Sequence, residues 1–91
     1  MNNSRRKAIR TLIDEMSELL GTLDGIKEAL EEIKDDEETA FDNLPEGIQD
    51  SERGERMQEA VDALDEVVCN LEEYFSGIEE AQEQLDEIIT A

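Results

Sequence analysis

The sequence predicts an all-α protein: an antiparallel two-helix hairpin, coiled-coil-like, that dimerises into a four-helix bundle. Three observations predict it. Apolar residues recur with a seven-residue period through two long stretches. One break, Phe41 to Met57, separates them and holds the only proline, Pro45. The apolar stripe is also wider than the seam of two helices can cover.

The first helix is expected over 4–43. With Ile9 as heptad position a, the a series is Ile9, Met16, Leu23, Leu30, Glu37 and Leu44, and the d series is Leu12, Leu19, Ile26, Ile33 and Ala40. Only Glu37 interrupts it. A turn over 44–50 follows. Pro45 cannot donate a backbone hydrogen bond and pushes Leu44 out of the helical region. Gly47 is expected to supply the freedom that a tight reversal needs. Phe41, Leu44, Ile48 and Met57 are expected to form a small apolar cap over the hairpin end.

The second helix is expected over 51–90, with Ser51 as its cap and Glu52 and Glu55 in the first turn. Its a series is Met57, Leu64, Leu71, Ile78 and Leu85, and its d series is Ala60, Val67, Tyr74, Ala81 and Ile88. The whole of 1–91 then forms a single helical-hairpin domain. Facing a against d aligns pairs whose numbers sum to 97, among them Ile9 with Ile88 and Leu19 with Ile78. Folding back brings Arg5, Arg6, Lys7 and Arg10 towards Glu83, Asp86 and Glu87, and Asp35–Glu38 and Asp42 towards Arg53 and Arg56. Each exposed pair contributes about 0.2–1 kcal/mol, so such pairs choose a register more than they stabilise it.

Beyond the a/d seam the e positions hold Ile13, Leu20 and Phe41 on the first helix, and Val61, Val68, Phe75 and Ile89 on the second. With a and d facing inward, both e columns share one flank, interrupted by Lys27 and Lys34. Apolar strips of that size mark interfaces, so these seven residues are the candidate oligomer face.

Charge limits the partners. There are 8 Lys and Arg against 27 Asp and Glu, a net of −19. Four of the cations lie in the first ten residues, leaving four cations against all 27 acids, −23, over residues 11–91. So acidic a surface repels nucleic acid and anionic lipid and favours a basic protein partner. Acidity with few aromatics also fits disorder, but disordered acidic tails lack the apolar period seen here. No stretch is long and apolar enough to span a bilayer, and a cytoplasmic location is expected.

Chemistry finds little footing. There is no histidine and one cysteine, Cys69, which excludes an intramolecular disulfide and His- or Cys-based metal sites. Cys69 lies at an outward f position among acids, a poor setting for a nucleophile. No stretch matches the calcium-loop spacing, and no cofactor or metal is expected. Carboxylate pairs are abundant, but two thin helices offer no pocket to desolvate one, so the chain is expected not to be an enzyme. Gly21 and Gly25 lie at f and c, away from the seam, where G-x-x-x-G spacing has no membrane meaning. Asp42, Asn43, Ser51, Arg53 and Arg56, beside Gly54, form a candidate partner or anion contact at a helix start.

The stretch E-E-T-A-F-D-N-L-P-E-G-I-Q-D-S-E-R-G-E-R-M, followed by A-V-D-A-L-D-E-V, resembles a widespread group of short acidic proteins of bacteria, phages and other mobile elements. The opening N-N-S-R-R-K-A-I-R is similar to that group as well. The resemblance implies a bacterial or phage cytoplasmic setting and carries over no activity or site residue. Three functions follow as expectations. The first is a non-enzymatic interaction protein that presents carboxylate rows to a basic partner, as a nucleic-acid mimic or inhibitor. The second is a structural oligomer or scaffold without a ligand. The third is a binder of a phosphorylated small ligand at the turn.

Overall fold

The computed structural model describes all 91 residues. The chain is helical almost throughout, in the order α1 Asn3–Asp42, α2 Glu46–Gln49 and α3 Glu52–Thr90. α1 and α3 pack against each other along a rod of 69 × 15 × 13 Å. Asn2 caps α1, its side-chain oxygen accepting from the Arg5 amide at 2.9 Å. Acids are absent from the first turn of α1 and bases from its last, so its dipole is uncompensated by its own charges.

The reversal is built by hydrogen bonding rather than by an unusual backbone. Every residue, glycines included, keeps negative φ, so the reversal does not draw on the conformational freedom expected of Gly47. It lies inside α2, a single turn that starts after Pro45 and is closed by the Pro45 carbonyl, which accepts from Ile48 N at 2.8 Å and Gln49 N at 3.0 Å. Gln49 then reaches back. Its Nε2 donates to the carbonyls of Phe41 at 3.2 Å and Leu44 at 3.1 Å, with a longer contact to Asp42 at 3.4 Å. The Phe41 carbonyl also accepts from Leu44 N at 3.0 Å, and the one Gln49 amide ties these carbonyls together where α1 ends. In the expected cap, Phe41, Leu44 and Met57 are half-buried, while Ile48 is exposed.

The register follows from the contacts that cross the seam. Arg6 Nη2 donates to the Ala91 carbonyl at 3.3 Å, Lys27 lies opposite Glu72, and Lys34 opposite Asp65. Gln82 Nε2 donates to the Ile13 carbonyl at 3.0 Å and to Ser17 Oγ at 2.8 Å. These place the helices within two residues of the 97 alignment. The faces, however, are turned.

The d columns were expected inside and the e columns outside; the structure has the reverse. Leu20, Val61, Val68 and Ile89 are buried, and Ile13, Phe41 and Phe75 are half-buried, so the candidate oligomer face lies in the intramolecular seam. Leu12, Leu19, Ile26, Ile33, Val67, Tyr74 and Ile88, all d positions, stay 43–63 % exposed. The seam is a/e, rotated by about 50° from a/d on a 3.6-residue helical wheel.

Three local causes select this face. Gly54, an e residue in the first turn of α3, lies under α2: a Cβ there would come within 2.0 Å of the Gln49 carbonyl oxygen. Only glycine lets α3 start so close, and that contact fixes which side of α3 looks inward. The two phenylalanines, both at e, gain more from partial burial than the alanines of the d columns. Lys27 and Lys34, also at e, lay their stems along the seam with their side chains only 26 % and 21 % exposed, and put their ammonium groups on α3 carboxylates.

Candidate surfaces: an apolar flank and an acidic ridge

With a and e inside an antiparallel pair, the d columns of both helices fall on one flank and the b columns on the other. The d flank is the exposed apolar strip. It is bordered by the g columns: Ala8, Glu15, Thr22, Ala29, Asp36 and Asn43 on one helix side, and Arg56, Ala63, Asn70, Gly77, Gln84 and Ala91 on the other. A chain with 27 acids places none at d and two at g. The side next to the strip is therefore small and nearly uncharged, the composition of an interface core rather than of a solvated face.

The remaining columns carry the acid. On the outer ridge of α3, the c column is glutamate at every heptad: Glu52, Glu59, Glu66, Glu73, Glu80 and Glu87. At 1.5 Å per residue successive carboxylates stand about 10 Å apart along a straight row. Beyond the intervening f column, which holds Glu55, Asp62 and Glu83, the b column adds Asp65, Glu72, Glu79 and Asp86. Two cations answer this side. Lys34 Nζ donates to Asp65 Oδ1 at 3.1 Å, and Lys27 Nζ stands 3.8 Å from both Asp24 and Glu72. The hydrogen bond to Asp65 pushes the Lys34 pKa above its ordinary value, with help from the charges of Asp65, Glu38 and Asp35 and against some desolvation.

The turn does not assemble its candidates into one site. The Ser51 hydroxyl donates to the Ile48 carbonyl instead of capping α3, and Arg56 is bound by Glu52 one turn earlier on its own helix. Arg53 makes no ion pair, so the expected pairing of both arginines with the acids ending α1 does not form. Asn43 engages α1 through its backbone, its N–H donating to the Thr39 carbonyl at 3.1 Å. Asp42 borders a shallow depression with Glu38, Phe41 and Gln58. At the other end, no ion pair joins the N-terminal cations to Glu83, Asp86 or Glu87; Arg6 sits instead on the carbonyl end of α3, where a cation suits the helix dipole.

Two residues that sequence reasoning passed over hold the frame. Gln49 caps α1, and Gln82 pins the register. Gln82 carried a signal: it is the lone polar side chain among Val61, Val68, Phe75 and Ile89 in its column, and a lone polar residue in a seam marks register. Cys69 is exposed and free. The depressions along the rod are shallow and open, no group of three or more acids or cysteines converges to hold a metal ion, and no helix is long and apolar enough to cross a membrane. Comparison with protein-family models, curated proteins and solved structures finds no match.

Proposed function

We propose that this chain is a non-enzymatic interaction protein that binds a basic protein through its carboxylate ridge. The observation that carries the reading is the division of one rod into an apolar, nearly uncharged flank and an acidic remainder. Solubility alone needs neither a net of −19 nor a glutamate at every heptad of one column. Rows of carboxylates on a narrow rod offer a basic groove the charge that phosphates would offer. That charge pattern makes a basic nucleic-acid-binding protein the natural partner class. The apolar flank favours a companion reading: the hairpin self-associates into a four-helix bundle, which turns the ridges outward and serves as the scaffold.

The test is capture on the immobilised chain from bacterial lysate at low and high salt. Basic nucleic-acid-binding proteins should be retained and then released by salt, because exposed charge pairs are screened beyond about 10 Å at 0.1 M. Replacing Glu59, Glu66 and Glu73 by Gln should weaken retention without loss of helix content. Retention indifferent to both salt and these replacements would refute the acidic-ridge reading.

A further inference from the structure

The apolar flank has an occupant that the chain itself supplies. We propose that two copies pair end for end through their d flanks, the turn of one lying over the termini of the other. The proposal rests on the self-association reading above and adds the face and the direction.

Area supports a second copy. A flank running the length of a 69 Å rod that is 13 Å thick has a footprint on the order of 900 Å². Two such flanks bury roughly the 1,200–2,000 Å² of a stable, specific interface. Core size points the same way. Five of 91 residues are buried in the single hairpin, four of them large and apolar, a thin core for helices of 40 and 39 residues. Covering Leu19, Ile26, Ile33 and Tyr74 would give it a second layer. The g columns permit close approach: Ala29, Ala63 and Gly77 flank the strip, and the space around Gly77 is open to 4 Å.

Charge sets the direction. At the terminal end, residues 1–10 and 81–91 carry four cations and three acids, a net of +1 from side chains. At the turn end, residues 35–59 carry two cations and ten acids, a net of −8. Side-by-side copies in the same direction would stack −8 on −8. End-for-end copies set each −8 beside a +1, which removes the worst repulsion and satisfies two-fold symmetry with one self-complementary surface. What repulsion remains makes the pairing tighten with added salt, opposite to the behaviour of a charge-driven complex.

Sedimentation of the full chain, with a spin label on Ser4→Cys in a Cys69→Ala background, tests both parts. The expected mass is that of two chains, tightening with salt. In the end-for-end dimer the two labels lie about 50 Å apart along the rod, whereas same-direction pairing brings them within about 25 Å, given 1.5 Å of rise per residue. Leu19→Glu with Ile26→Glu should yield a helical monomer, since both side chains are exposed within one hairpin. A wild-type monomer at every concentration would overturn self-association itself. A dimer with labels close together would overturn only the direction, and a dimer that survives both glutamates would overturn the face.

Discussion

Gly54 is the residue on which the hairpin turns. The turn could not be read from conformational freedom, since no residue has positive φ; it is read from contact. Gly54→Ala drives a methyl group against the Gln49 backbone, 2.0 Å from its carbonyl oxygen, which a flexible side chain cannot relieve. It should cost about 1–3 kcal/mol, the range for overpacking, in denaturant unfolding. Gly21→Ala is its control. A Cβ at Gly21 meets nothing within 4 Å, so that replacement should stabilise, by up to about 1 kcal/mol from helix propensity. Equal effects at the two sites would show that the contact under α2 is not what holds α3.

At the scale of elements, the helices and their antiparallel hairpin were legible in the sequence because a seven-residue period over such length has few other solutions. The face was not legible. Three adjacent columns, d, a and e, are apolar, and a two-helix seam takes two of them. On apolar content alone, Leu12, Leu19, Ile26 and Ile33 outrank an e column that includes Lys27 and Lys34. By residue type the lysines interrupt the column, yet their stems pack and their ammonium groups reach Glu72 and Asp65. The anion site at the turn also failed to assemble, because near partners on the same helix outcompete distant ones: Glu52 takes Arg56. The Lys34 contact makes a pH prediction. Its pKa is raised on folding, so its contribution is complete below the unfolded value, near 10.4, and is lost as pH rises through the folded one. Across neutral pH, the difference in melting temperature between the native chain and Lys34→Met should stay constant, and it should shrink above about pH 10. A difference that changes between pH 6 and pH 9 would assign the lysine's role to some other titrating group.

At the scale of the molecule, rotating both helices by about 50°, one column's width, decides what the protein shows to others. With a/e inside, the exposed strip is d, its borders are nearly uncharged, and the acids collect on the b, c and f columns. With a/d inside, the exposed flank would instead be broken by two lysines. The proposed self-association face therefore depends on the a/e seam. Disulfide trapping within one chain measures it most directly, in a Cys69→Ser background under mild oxidation. The Gln82 bonds to Ile13 and Ser17, one turn beyond Ile78, put Leu20 and Ile78 at the same level of the seam, Leu20 buried and Ile78 half-buried. Leu20→Cys with Ile78→Cys should close rapidly into a fast-migrating monomer band on a denaturing gel, while Leu19→Cys with Ile78→Cys closes slowly. Faster closure of the Leu19 pair would place d inside the hairpin and contradict the account.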